Sequence, residues 1–303
     1  MSHAIAYQGA PGAFSHQASI KFANEFLRDS HCELLPLKHF SELFLNAEKS
    51  FQDKEVFACL PIDNSTIGSI SENYDLLWPS KLKILSEFYL PIHHQLLSIE
   101  GANVEEIEEV YSHPAALEQC RRLFQRFPKM QEHTYYDTGA ASKMVQEKNN
   151  PKIASIGSLQ AAKEYSLSII LPDIEDYPQN QTRFVLVGKA NGLFLLRQPK
   201  FPCRFSFAFE GTRDLNQLTA LSTLLGEFIQ LHKIESRPIP EAPWHYRIFV
   251  DLIVMQGHTD RLASSNSPSE PLSNATDGLE DQIKSLIPAA KFFGVYNNLV
   301  VNS

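Results

Sequence analysis

From Ala4 to about Val187, short apolar runs alternate with segments of helical spacing. Ala4–Tyr7, Glu33–Leu35, Val56–Leu60, Val110–Ser112, Ile153–Ile156, Leu167–Leu171 and Phe184–Val187 read as strands. Between several of them, residues 15–27, 41–51, 114–127, 140–147 and 158–165 carry helical patterns. Such alternation predicts an α/β protein with a largely parallel sheet. Lys83–Ile99 is a mostly apolar stretch without helical period, expected to carry the chain from one lobe to another.

The texture changes near Gly188. Residues 189–200 resemble a linker, after which Arg204–Phe209 alternates strictly with Phe205, Phe207 and Phe209 on one face. That is the pattern of a half-buried strand. Leu218, Leu221, Leu225 and Phe228 repeat at helical spacing, and Lys233–Ser236 and Tyr246–Val254 read as strands. Leu279, Ile283 and Leu286 form a helical stripe stopped by Pro288, and Lys291–Tyr296 makes a last strand. The order βαββαβ predicts a ferredoxin-like second domain. The expected division is 1–190 and 200–303. Residues 257–278, rich in Ser, Asn, Pro and Asp, read as a flexible insertion.

A chain of 303 residues is long enough for two cores. Its net charge of −8 argues against nucleic acid or an anionic membrane as a partner. Cys32, Cys59, Cys120 and Cys203 are far apart in apolar stretches, so free thiols in a reducing compartment are expected. With no targeting signal and no long apolar run, the expected location is the cytoplasm.

Three segments share one design, in which a strand is followed by a polar residue and then a helix. They are marked by Ser15, Ser112 and Ser158. A helix start offers unpaired N–H groups to carboxylates or phosphates, although each serine alone reads equally as a helix cap. The loop Pro61–Ser69 follows an apolar strand where α/β sheets bind ligands, and Gln181–Phe184 opens another strand. The eleven histidines show no metal-ligand spacing, and no phosphate-loop, dinucleotide or GxSxG motif occurs. No cofactor and no metal are expected.

Tyr7–Ser15, Leu60–Ser65 with Gly68, Ser112-His113-Pro114 with Gln119-Cys120, Ile156–Tyr165 and Thr182-Arg183-Phe184 together resemble the motifs of prephenate dehydratases. Asp63 stands where that family usually has Glu. Glu235-Ser236-Arg237-Pro238 is similar to the effector-binding signature of the family's ACT domain.

The resemblance implies a two-lobed catalytic portion, like a periplasmic binding protein, followed by a ferredoxin-like ACT domain. It implies conversion of prephenate to phenylpyruvate, inhibition by L-phenylalanine, and a homodimer or homotetramer. Thr182, Arg183 and Phe184 form the implied catalytic motif, with Thr182 donating to the departing hydroxyl. Asn64, Ser65, Ser112 and Gln119 are implied to orient substrate, and Ser15 and Arg183 to shape the pocket or hold a carboxylate. Leu215-Asn216-Gln217 departs from the family's Gly-Ala-Leu, so weaker effector binding is expected. The first strand at residue 4 leaves no room ahead of it for the chorismate mutase of bifunctional members, so that activity is not expected. Arogenate dehydratase, acting on the amino analogue, and a non-catalytic sensor of small acids are the alternatives.

Overall fold

The computed structural model describes residues 2–27, 32–49, 54–189, 200–212, 216–255 and 272–298. The chain forms two compact units, one of residues 1–70 and 89–184, the other of residues 71–88 and 185–303.

The first unit begins with β1 (Ser2–Gln8), α1 (Phe14–Phe26), β2 (Cys32–Leu37), α2 (Phe40–Lys49), β3 (Lys54–Asn64) and β4 (Gly68–Ser69). The chain continues through α3 (Ser71–Leu77) and β5 (Lys83–Pro91), most of which group with the second unit. It then forms β6 (Gln95–Ser98), β7 (Glu109–Ser112), α4 (Pro114–Glu118), α5 (Arg121–Arg126), β8 (Gln131–Thr134) and α6 (Thr138–Lys148). β9 (Ile153–Gly157), α7 (Leu159–Glu164), β10 (Ser168–Leu171) and β11 (Gln181–Gly188) follow.

β1 lies between β2 and β3, parallel to both, with Ile5 opposite Leu34 and Phe57. Ala4, Ile5 and Ala6 are fully buried, as both faces of a central parallel strand require. A second sheet runs β10-β6-β9-β7-β8, with β7 parallel to β8 and β9 and β6 antiparallel to its neighbours. The apolar stretch 83–99 becomes two strands, β5 and β6, in different sheets.

The helix expected over 114–127 is broken into α4 and α5. Asp176 supplies the reason: its carboxylate accepts the N–H groups of Arg121 (2.9 Å) and Arg122 (3.0 Å), starting a new helix there. Gln119 is left at the C-terminal cap of α4.

The turn between β1 and α1 is held from α7. Gly12 has φ +88°, and a Cβ there would lie 2.8 Å from Ala161 Cα, so only glycine fits. Ser158 caps α7 by accepting the Ala161 N–H (3.0 Å), and its hydroxyl donates to Gly12 O at 2.6 Å. The Tyr165 hydroxyl donates to Pro11 O at 2.7 Å.

In the second unit, β12 (Cys203–Thr212), α8 (Asn216–Leu221), β13 (Ile229–Pro238), β14 (His245–Val254), α9 (Leu272–Leu286) and β15 (Lys291–Asn298) follow the βαββαβ order. The sheet order β13-β14-β12-β15, antiparallel throughout, is that of a ferredoxin-like domain. Phe205, Phe207 and Phe209 pack with Leu279 and Ile283 of α9. The half-buried reading of β12 needs correction, since Ser206 and Ala208 on its other face are also buried. That face is covered within the same unit, where Tyr74 and Trp78 sit edge-on to Phe249 beside Ala208.

α8 ends at Leu221, and Leu225 and Phe228 lie outside it. Leu215 and most of the predicted insertion 257–278 lie outside the described residues, although α9 begins at Leu272. No helix among the described residues is long and apolar enough to cross a membrane.

The double bond-making role of Ser158 gives a stability test. Ser158→Ala removes a helix cap and a buried hydrogen bond, so it should cost about 1–3 kcal/mol in urea denaturation.

Candidate active site

A cavity of about 180 Å³ opens in the first unit. Its wall includes Gln8, Phe14, Ser15, Asn64, His94, His113, Gln119, Asp137, Thr138, Thr182 and Phe184. The residues come from loops after β1 and β3, from the starts of α1, α4 and α6, and from β11. Sequence-distant motifs therefore meet in one place.

One wall is a continuous amide network. Asn64 Nδ2 donates to Thr182 Oγ1 and to Asn180 Oδ1, each at 2.9 Å. Asn64 Oδ1 accepts the N–H groups of Thr66 (2.8 Å) and Ile67 (3.0 Å), folding the loop back on itself. Asn180 Nδ2 donates to Gln119 Oε1 at 3.0 Å, and that oxygen also accepts from His94 Nε2 at 2.8 Å. Thr182 thus receives a hydrogen bond on its oxygen, and no protein acceptor among the described residues takes its proton.

His94 is 2% exposed, and Nδ1, the nitrogen turned away from Gln119, has no protein partner. Burial lowers its pKa, outweighing the Gln119 bond and the nearby Glu175 carboxylate. The ring is the neutral tautomer protonated at Nε2, with a bare acceptor at Nδ1. His113 caps α4 through Nδ1, which accepts the Ala115 N–H at 3.2 Å, and burial lowers its pKa as well.

Asp137 caps α6, its Oδ1 accepting the N–H groups of Ala140 (2.9 Å) and Ala10 (3.2 Å). Burial pushes its carboxyl above the ordinary range, and the N–H groups of Ala140, Ala10 and Gly139 oppose that shift.

Ser15, Asn64, Gln119, Thr182 and Phe184 of the expected set line the cavity. Ser112 is buried, and its hydroxyl donates to Ile156 O at 2.7 Å. Ser65 is a hinge of the wall: its N–H donates to Gln181 O and its Oγ accepts the Gln181 N–H, both at 2.9 Å. Arg183 is 3% exposed and does not line the cavity. Of the three marked serines, only Ser158 caps its helix, since α1 starts without a side-chain cap.

Three residues escaped the sequence reading. Asp137 was legible as an acid preceding a helical pattern. Asn180 carried no local signal, and His94 stood in the run Leu90–His94 with nothing to mark it for the site, because only the fold brings them to Asn64 and Gln119.

On the second unit, Arg237 makes a two-pronged ion pair with Asp75, at 3.1 Å from Nε and 2.8 Å from Nη2. Glu235, Ser236 and Pro238 lie beside it on β13, with Glu235 3.8 Å from Lys233. His93, Asp173 and Glu175 place possible ligand atoms within 4.8 Å of one another. His93 Nδ1 donates to Glu175 Oε1 at 2.7 Å, while the His94 N–H donates to Oε2, so both oxygens of that carboxylate are already engaged in hydrogen bonds.

An open cavity with a largely apolar wall and a few converging amides and hydroxyls, on an α/β frame, defines a protein built around a small molecule. The family model described as prephenate dehydratase matches residues 5–192, and the chain belongs to that family. A bifunctional chorismate mutase/prephenate dehydratase of Enterobacter agglomerans is 31% identical over 96% of this chain and 70% of its own length. Arogenate dehydratase 1 of Petunia hybrida is 36% identical over 79% of this chain, which spans 54% of that relative. The structure of a prephenate dehydratase from Arthrobacter aurescens in complex with L-Phe covers 98% of this chain and 92% of its own, with TM-score 0.75 and 22% identity. A chain described as a novel type of quorum-quenching acylase reaches TM-score 0.77, also at 22% identity, over 99% of this chain and 100% of its own. These likenesses to solved structures describe the fold alone. Residues and chemistry must argue the reaction.

The buried histidine sets a pH dependence. Its folded pKa lies below the unfolded value near 6.5, so the unfolded chain takes up a proton first as pH falls. Its stabilising effect is present above about pH 6.5 and declines below it. The urea midpoint should fall between about pH 7.5 and 5.5, and fall less in His94→Gln, as denaturation at several pH values would show.

Proposed function

We propose that this chain catalyses the decarboxylating dehydration of a cyclohexadienyl acid: prephenate to phenylpyruvate, with the amino analogue arogenate undergoing the same elimination. The observation that carries this reading is the Thr182 hydroxyl, held by Asn64 through its oxygen with its proton left for the cavity.

In the reaction the ring's C4–oxygen bond breaks as the oxygen takes a proton from Thr182 Oγ1 and leaves as water. The C1–carboxylate bond breaks as well, its electron pair enters the ring, and carbon dioxide departs. Solvent then reprotonates Thr182. Aromatisation drives the elimination, so the protein has mainly to orient substrate and assist the leaving group.

A threonine hydroxyl is a weak acid. The Asn64 N–H stabilises the negative charge that grows on Oγ1 as the proton leaves, which makes a concerted transfer easier. Asn180 and Gln119 hold Asn64 in that orientation. The first turn of α1, with no side-chain cap and no acid, offers N–H groups to a substrate carboxylate.

The second unit is proposed to be an ACT-type regulatory domain that binds L-phenylalanine through Glu235–Pro238. Its ferredoxin-like topology and the L-Phe held by the Arthrobacter relative support this reading. A homodimer or homotetramer fits the sheet edge at β13, where Leu231 and Ile234 are 44% and 40% exposed. The four free cysteines fit a cytoplasmic setting.

Thr182→Ala should lower kcat by about a hundredfold or more on either substrate, while Thr182→Ser keeps part of the activity. Steady-state assays check this, and near-native turnover by the alanine variant would remove Thr182 from the mechanism. Millimolar L-phenylalanine should inhibit the full chain, and Arg237→Ala should raise the half-inhibiting concentration at least about fivefold, within the usual range of allosteric coupling. Equal inhibition of both proteins would place the effector elsewhere.

A further inference from the structure

The cavity wall carries a charge that the elimination does not need. Among the described residues lining it there is no lysine or arginine, and burial lowers the pKa of His94. Asp137 is the one acidic side chain among the described residues of the wall. Its place is specific. A Cβ on Gly9 would lie 2.5 Å from Asp137 Oδ2, so the β1–α1 turn packs directly on that carboxylate. A Cβ on Gly139 would lie 2.9 Å from Ala13 N, so the starts of α1 and α6 touch.

The two helix starts are chemically opposite. α1 presents N–H groups with neither a side-chain cap nor an acid in its first turn. α6 presents the Asp137 carboxylate. A positive pole beside a negative one matches the α-carboxylate and α-ammonium of an amino acid. His94 Nδ1, buried and without a protein partner on the same cavity, is a further acceptor left for a ligand.

Resting on the dehydratase reading above, we propose that Asp137 selects the amino-acid substrate over the keto acid, pairing with the ammonium of arogenate while the first turn of α1 holds its α-carboxylate. Prephenate carries one more net negative charge and no cation, so it meets Asp137 without compensation. Elimination from arogenate yields phenylalanine directly. The class of reaction that must supply the substrate is then transfer of an amino group to prephenate.

The test is kcat/KM for both substrates with the native chain, Asp137→Asn and Asp137→Ser. Asn and Ser also cap helices, so both variants keep the start of α6 while losing the charge. The native chain should favour arogenate by at least about tenfold, and each variant should lower that ratio by at least about tenfold, mainly through arogenate. An unchanged ratio in a folded variant would reduce Asp137 to a helix cap and overturn the proposal. A native preference for prephenate overturns it without any variant. Turnover of neither substrate by the native chain would instead defeat the dehydratase reading itself.

Discussion

The side-chain amide of Asn64 is the point on which the site depends. Its nitrogen is shared between Thr182 and Asn180, and its oxygen is occupied by two backbone N–H groups of its own loop. All four hydrogen-bonding positions of this buried group are thus committed, and its orientation is fixed. Because Asn64 can only donate to Thr182, the threonine proton is turned elsewhere. Asn180, Gln119 and His94 extend the constraint, each oxygen in the chain accepting two donors. A swap of one amide's nitrogen and oxygen would leave buried donors facing one another, at a cost of about 1–3 kcal/mol per unmet group.

The frame supplies what a network cannot. The β1–α1 turn is pinned by Ser158 and Tyr165, which places the uncapped start of α1 on the cavity. In the second unit, Arg237 is held by Asp75 of α3, a helix that follows the Asn64 loop after only a few residues. On the proposed reading, an effector carboxylate competing for Arg237 would disturb that ion pair, and α3 is covalently close to the Asn64 loop. The proposed regulation would then start from one guanidinium with two claimants.

Much of this was legible in the sequence because periodicity reports burial. The continuous run at Ile5 and the alternation at Phe205–Phe209 each found their strand, and the βαββαβ order emerged from pattern alone. The break at Gln119–Cys120 was not legible, since it depends on Asp176, more than fifty residues away, capping α5. Nor was the second buried face of β12, because Tyr74 and Trp78 come from a segment read as part of another domain. At the site, Thr182 and Asn64 stood in recognisable motifs. Asn180 and His94 act through contacts 116 and 25 residues distant, which no local pattern encodes.

The most direct test of the central claim is a double-mutant cycle on kcat between Asn64 and Thr182. Asn64→Asp keeps an oxygen for the loop N–H groups and removes the donor to Thr182. If Asn64 acts through that hydroxyl, its loss has little further effect once the hydroxyl is gone, and the double variant turns over within about threefold of Thr182→Ala alone. If the two losses multiply instead, Asn64 and Thr182 act independently, and the network does not present the threonine proton to the substrate.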